Sequence, residues 1–464
     1  MKIENGKATG IKIAYVGGGS KNWAWNLMSD LAQESALSGD VYLYDIDKEP
    51  AIQNAQIGNG IGKLDDKLDN WKYFVSDTLE DALKDANFVI ISILPGTFEE
   101  MRSDVHTPEK YGIYQSVGDT MGPGGIIRAL RTIPMYEVIA NGIRENCPDA
   151  WVINYTNPMT MCTRALYKVF PEIKAFGCCH EVFGTQKFLA KVLEKKLGIK
   201  DIKREDIRCE VMGVNHFTWL KKAYYQDIDI FPIYKEFCEE YAKVGFTEGA
   251  DDNWLNRVFQ SKQMVKMDLF LRYGYIAAAG DRHLAEACPG KWYLESPECV
   301  ESWGFGLTSV DHRYKLLDDA LERRRKYISG EETFKITPSG EEGVKQMKAI
   351  LGLGSFVTNV NMPNRGQITN LPMGAVVETN ASFTSNTVAP VTVGELPPAV
   401  FALTIDHVAV QEMVVEAAVT RDLDLAFQAF CKDPQVKRLN LTEAKALFDE
   451  MIENTKEYLT MYNI

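Results

Sequence analysis

Short apolar runs alternate with stretches of helical periodicity along the first part of the chain. Residues 11–16, 41–44, 72–75, 88–93, 151–155 and 173–177 each read as a strand, rich in Val, Ile and aromatic residues and bounded by turn residues. Between them Trp23, Leu27, Leu31 and Ala32 recur at helical spacing, and residues 79–84, 126–144 and 182–196 carry further helix patterns. Such alternation predicts parallel strands joined by helical crossovers, a doubly wound Rossmann-type α/β domain over residues 1–205. Beyond it the alternation fades. Helical patterns near residues 254–273, 310–328, 397–419 and 442–458 flank residues 355–383, which read as strands and turns. Residues 206–464 are expected to form an α+β domain that caps the cleft of the first.

The strand ends carry the candidate chemistry, because open α/β sheets bind ligands at their carboxyl edge. The first strand runs into Gly17-Gly18-Gly19-Ser20 and then a helix, the arrangement that lets backbone approach a pyrophosphate at a helix N-terminus. Asn22 stands where a third glycine is usual, so a plain tight turn is the competing reading. Asp45 ends the next strand, 26 residues beyond Gly19, where an acid accepts hydrogen bonds from ribose hydroxyls and repels a 2′-phosphate. Together these favour NAD over NADP. Ser92 and the Leu94-Pro95-Gly96 turn follow the fourth strand and are expected beside the cofactor. A glycine-rich loop over residues 114–125 contains Asp119, either a solvated acid or a site residue. Asn157, before Pro158, is either a helix N-cap or an amide that reaches cofactor and substrate. Cys179-His180 follows the next strand at a helix start, where the terminus would lower the thiol pKa and suit a metal ligand. Gly213-Val214-Asn215-His216 offers a second ligand at the end of another apolar run. Ala277-Ala278-Ala279-Gly280-Asp281-Arg282-His283 places three ionisable residues after four small ones, which could equally be a solvated turn.

Composition narrows the partners. The chain has 464 residues, 45% of them hydrophobic and 25% charged, with a net charge of −13. That acidity argues against nucleic acid or anionic membrane, which need a basic footprint. No run of eighteen apolar residues and no signal-peptide pattern is present, and nine irregularly spaced cysteines do not suggest a disulfide framework. A cytoplasmic protein with reduced thiols, assembling as a homodimer or homotetramer, is expected.

These motifs together resemble glycoside hydrolase family 4, the NAD- and Mn²⁺-dependent glycosidases. The likeness spans nearly the whole length: the glycine turn, Gly118-Asp119, Asn157-Pro158, the Cys-His pair, Asn215-His216 and Met362-Pro363-Asn364-Arg365-Gly366. The resemblance implies a lactate/malate dehydrogenase-like fold, Cys179 and His216 as metal ligands, Asn157 and Asp119 at the substrate, and His180 as acid. The base is Tyr in some members and Asp in others, which points here to Asp281, with Tyr273 as the alternative. Cys179-His180-Glu181-Val182 resembles the signature of the α-galacturonidases. The implied reaction is oxidation of sugar C3 by NAD⁺, removal of the C2 proton, elimination at C1, addition of water and return of hydride. A uronate would need guanidinium partners, and Arg102, Arg282 and Arg365 are the candidates; Arg128 and Arg131 rank below them. Glu181 would repel such a substrate unless it orients His180, a water or an arginine. The alternatives are an α-galactosidase or α-glucuronidase of the same family, a lactate/malate-type NAD dehydrogenase, or a non-catalytic sugar-binding protein.

Overall fold

A computed structural model describes residues 1–65, 68–247 and 261–463. β1 (Lys2–Glu4) pairs antiparallel with β2 (Lys7–Val16). β2 lies at the centre of a parallel sheet with β3 (Leu37–Tyr44), β4 (Trp71–Val75), β5 (Phe88–Ile91), β6 (Trp151–Asn154) and β7 (Lys174–Gly177). The order β7-β6-β5-β2-β3-β4 reverses direction between β2 and β5, the topological switch point at which doubly wound folds bind their ligands. The expected Rossmann-type architecture is therefore present. A second sheet gathers β8 (Ile207–Val214), β9 (Phe217–Tyr225), β10 (Ile228–Asp229) and β11 (Ile276–Ala277).

The boundary expected near residue 205 falls in a 3-10 turn, Arg204–Asp206, yet sheet and core both cross it. β12 (Phe356–Pro363), β13 (Val376–Thr384) and β14 (Thr387–Pro390) extend the first sheet antiparallel, with Asn361 paired to Gly177 of β7. One buried cluster runs from Ala14 and Val16 through Ile127 and Ile133 to Val414, Phe430, Leu447 and Tyr462. The last helices thus cover one face of the N-terminal sheet. A single bond shows how: Pro134, inside the 25-residue helix Gly122–Asn146, has no N–H for the Leu130 carbonyl, and the Tyr462 hydroxyl donates to that carbonyl at 2.9 Å.

The long helices follow the apolar patterns. Val310–Ser329, Pro398–Thr420 and Leu441–Asn454 form where expected; of the pattern over residues 254–273, residues 254–260 lie outside the described residues and Met264–Tyr273 is helical. Pro398–Thr420 is long and apolar enough to cross a membrane, a length the count of uninterrupted apolar residues did not flag. Here its Asp406, Glu412 and Glu416 pair with Lys432, Arg164 and Lys168, while Val414 and Ala418 are fully buried. Two local expectations change. Residues 122–125 belong to the first turn of the helix that ends at Asn146, since Pro123 suits a first-turn position. The 277–283 stretch is not a solvated turn: Ala277, Ala278 and Ala279 are fully buried and Asp281–Ala287 is a helix.

Candidate active site

At the switch point the glycine turn is shaped by contact distance. Gly17 has φ +92°, and a Cβ there would lie 2.0 Å from the Ser92 carbonyl oxygen, so no other residue fits between β2 and β5. The amides of Gly17 and Gly18 both donate to the Tyr44 carbonyl at 2.9 Å. The helix Trp23–Gln33 that follows has no side-chain cap and no acid in its first turn, leaving its N-terminal amides for an anion. Asp45, just past the end of β3, sits against the turn, its Oδ2 accepting from the Gly19 amide at 2.8 Å. Ser92 follows β5, its amide bonded to the Val16 carbonyl, with Pro95 buried beyond it. These residues gather at the switch point, where a dinucleotide would fit against the free amides of the helix terminus.

Along the same edge a second constellation assembles around Cys179 and His216. Cys179 leaves β7, and His216 forms the tip of the β8–β9 hairpin with φ +63°; both are 5% exposed. The Asp119 carboxylate is held well below the usual range: burial opposes ionisation, but Arg128 and then His216 and His283 outweigh it. Being ionised, Asp119 can only accept, so the Thr120 hydroxyl donates to its Oδ1 at 2.8 Å. Thr120 Oγ must then accept from His216 Nδ1–H at 2.9 Å. This relay leaves the lone pair of His216 on Nε2, the form a metal ligand requires. Burial lowers the His216 pKa to about 3, which keeps the ring neutral. The His283 ring lies 3.9 Å from that of His216, with its Nε2 3.6 Å from Glu181 Oε1 and its buried Nδ1 without a partner among the described residues. Glu181 also accepts from the Gly280 amide at 2.8 Å.

The Cys179 thiol departs from expectation. Burial raises its pKa well above the ordinary value, and the carboxylates of Glu378 and Glu181 raise it further. The amide of Glu181 at the helix terminus does lower it, but desolvation and two nearby negative charges outweigh that effect. Glu378 reaches this position through β13, whose register pairs it with Asn361. Its oxygens accept from Asn359 at 2.7 Å and Asn215 at 3.2 Å, while Asn359 also donates to the Cys179 carbonyl at 3.2 Å. Among the described residues no group of three or more His, Cys, Asp or Glu side chains is arranged to hold a metal. A buried thiol and an imidazole with a fixed Nε2 lone pair nevertheless fit an ion whose other positions belong to substrate oxygens or water.

The other expected residues divide. Asn157 does not cap its helix: Pro158 occupies that position, and no side-chain cap bond forms. Its Oδ1 is buried with no partner among the described residues and its Nδ2 lies 3.5 Å from Asp119 Oδ2, so the amide is available at the site. His180 is half-exposed, with Nδ1 3.1 Å from Glu341 Oε1, and that contact raises its pKa. Asp281 is fully buried, and its oxygens accept the amides of Lys266 at 3.0 Å and Val265 at 3.3 Å. It caps the helix Met264–Tyr273, and burial raises its pKa while the charge of Lys266 opposes the shift. Tyr273 packs edge-on to Trp219, ring centroids 5.8 Å apart.

The arginines require correction. Arg102 lies on the surface, paired with Asp311 at 2.7 Å and Glu99 at 3.7 Å. Arg365 is exposed beside Tyr167. Arg282 spends its guanidinium on the Ser116 carbonyl at 2.6 Å and the Thr308 hydroxyl. Four residues on, Glu286 accepts the amides of Val117 at 2.6 Å and Gly118 at 2.8 Å, and burial pushes its pKa up to about 8. One helix thus grips a carbonyl and two amides of the loop that presents Asp119. Arg131 forms a buried pair with Asp104, Nη1 to Oδ1 3.0 Å, and the Asp104 main-chain carbonyl accepts from Gln115 of that loop at 2.5 Å.

Sequence reading missed Thr120, His283 and Glu378 as site residues. His283 had a signal, standing two residues from Asp281; so had Glu378, an acid inside the apolar strand Val376-Val377-Glu378.

Residues 12–195 match the description Family 4 glycosyl hydrolase, and residues 211–436 match Family 4 glycosyl hydrolase C-terminal domain. The chain is 58% identical over 464 residues, all of both chains, to an α-galacturonidase of Thermoanaerobacterium saccharolyticum. It is 51% identical to an α-galacturonidase of Bacillus subtilis, over 96% of this chain and 97% of that one. The crystal structure of the Bacillus subtilis protein lplD superposes with a TM-score of 0.91 at 51% identity, covering 96% of this chain and 100% of that chain. A 6-phospho-α-glucosidase from gut microorganisms, solved with NAD and Mn²⁺, shares the fold at 21% identity with a TM-score of 0.79, over 97% and 99% of the two chains. Carrying both family segments in order and matching such relatives end to end, the chain belongs to glycosyl hydrolase family 4 and is a glycoside hydrolase.

Proposed function

We propose that the protein is an NAD- and Mn²⁺-dependent α-galacturonidase that works by C3 oxidation, C1–C2 elimination, addition of water and re-reduction. The observation that carries this reading is the convergence of a dinucleotide cradle and the Cys179–His216 pair on one sheet edge. Relatives named α-galacturonidase at 51–58% identity support the substrate, against 31% for a Bacillus subtilis α-galactosidase. When bound, NAD⁺ supplies a hydride acceptor and Mn²⁺ a Lewis acid that acidifies the proton beside a ketone.

The chain's own residues bind and move protons around that chemistry. Gly17, Gly19 and Ser20 let the pyrophosphate approach the uncapped amides of the helix terminus, Asp45 takes ribose hydroxyls through its second oxygen, and Ser92 and Pro95 border the cofactor. Cys179 and His216 hold the metal, with Thr120 fixing the histidine tautomer. Asp119 and Asn157 Oδ1, which has no partner among the described residues, accept from sugar hydroxyls. His180 serves as acid, because Glu341 keeps its proton on to higher pH. Two groups of one helix turn compete as base. Asp281 is the residue the family resemblance selects; His283 has the open, neutral nitrogen.

The test is release of galacturonic acid with NAD⁺ and Mn²⁺, each omitted in turn, and repeated in D₂O. Deuterium at C2 of the product is expected. Product without it contradicts elimination, NADH accumulating in step with product would indicate a dehydrogenase, and preference for galactoside or glucuronide would overturn the substrate.

A further inference from the structure

Helix Val310–Ser329 belongs to the second half of the chain but runs along the cofactor cleft. At one end Arg324, 2% exposed, donates to the Gly19 carbonyl at 2.9 Å and to Asn54 Oδ1 at 3.2 Å. Arg313 precedes it by three turns, about 16 Å along the axis and within roughly 20° around it. Arg313, Ala320 and Arg324 therefore form one stripe, and Ala320 is also 2% exposed.

The Arg313 end is fixed against the loop that presents Asp119. Ser309 caps the helix, the Thr308 amide donates to the Ser116 carbonyl at 3.3 Å, and the Val310 amide to His106 Nε2 at 3.3 Å. The charge of Arg313 acts on Asp119, Arg128 and Arg282. Of the arginines gathered there, Arg128 opposes Asp119 and donates to the main-chain carbonyl of Asn157. Arg282 holds Ser116 and Thr308. Arg313 is half-buried and makes no hydrogen bond or ion pair among the described residues.

A half-buried guanidinium without a hydrogen-bonded counter-ion, beside the residues that contact the sugar, matches the planar fork of a carboxylate. With O2 and O3 of a pyranose at the Cys179–His216 pair, the C5 substituent lies across the ring. We propose that Arg313 receives the C6 carboxylate of the substrate and is the residue that selects uronides over neutral sugars. The proposal rests on the galacturonidase reading above.

Wild type, R313A, R313Q and R313K, loaded with NAD⁺ and Mn²⁺, are compared on nitrophenyl α-galacturonide and α-galactoside. Galacturonate and galactose binding is measured by calorimetry in parallel. R313A should lose about thirtyfold or more in galacturonide kcat/KM and lose galacturonate affinity, as expected for a missing charged hydrogen-bond partner. Its galactoside rate should stay or rise, and R313K should recover part of the loss by charge alone. Should R313A fail to fold, R313Q carries the same comparison. Unchanged discrimination in a folded variant of a galacturonide-preferring wild type overturns Arg313 alone; a wild type that prefers galactoside overturns the substrate reading.

Discussion

The two ends of the cleft are built on opposite principles. The nucleotide end is made of backbone: Gly17 to Ser20, the end of β3 and the turn after β5 meet at van der Waals limits, with a Cβ at Gly17 only 2.0 Å from a carbonyl. The proposed sugar end is made of side chains from many elements, among them Thr120, Cys179, His216, His283 and Glu378, held by buried hydrogen bonds and ring contact. One end should therefore fail when atoms are added and the other when polar atoms are removed.

The largest expected effect is at the sugar end. Cys179→Ser should abolish Mn²⁺-dependent galacturonide turnover while NAD⁺ affinity, followed by calorimetry, stays within about twofold, since the cradle shares no hydrogen bond with the thiol. Full activity in that variant would remove the metal assignment. Next come the competing bases. Removing a general base costs about 10²–10⁴-fold, so either Asp281→Asn or His283→Gln should lose that much in kcat together with C2 exchange. The other variant should chiefly lower the melting temperature. If neither loses exchange, both assignments fail.

Gly17→Ala probes the nucleotide end. NAD⁺ affinity should fall about a hundredfold, or roughly 3 kcal/mol, while Mn²⁺ binding followed by electron paramagnetic resonance is retained. Loss of both in a folded protein would mean that the two ends are not separable. Thr120→Val removes the hydroxyl that sets the His216 tautomer and should weaken Mn²⁺ binding by about 10–100-fold, the usual cost of losing a partner behind a ligand. Unchanged affinity would show that the relay is not needed.

The smallest effect is a pH shift. Glu341 raises the His180 pKa, so the proton of the acid, and with it kcat, is lost only as pH rises through that raised value. Glu341→Gln should move the alkaline limb of the kcat profile to lower pH and leave the acid limb in place. The same sign holds for stability: the pair contributes below the ordinary histidine pKa of about 6.5 and fades as pH rises through the folded value. An unmoved alkaline limb would release His180 from the acid role.

By itself the sequence determined the β–α alternation and which residues stand at strand ends: Gly17, Asp45, Ser92, Asn157 and Cys179 all emerge at the carboxyl edge. These are short-range matters. Apolar periodicity selects strand or helix, and a strand followed by a turn and a helix delivers its next residue to that edge wherever it occurs. Only the tertiary structure decided what those residues would meet. Glu378 lies almost two hundred positions from Cys179, yet β12 and β13 bring it close enough to raise the thiol pKa that a helix terminus alone would lower. Three arginines that looked free in sequence are exposed or committed, and Arg313, with no motif around it, stands by Asp119. Proton affinity and ion pairing depend on burial and on charges a few ångströms away, and in this chain those neighbours come from strands and helices hundreds of residues apart.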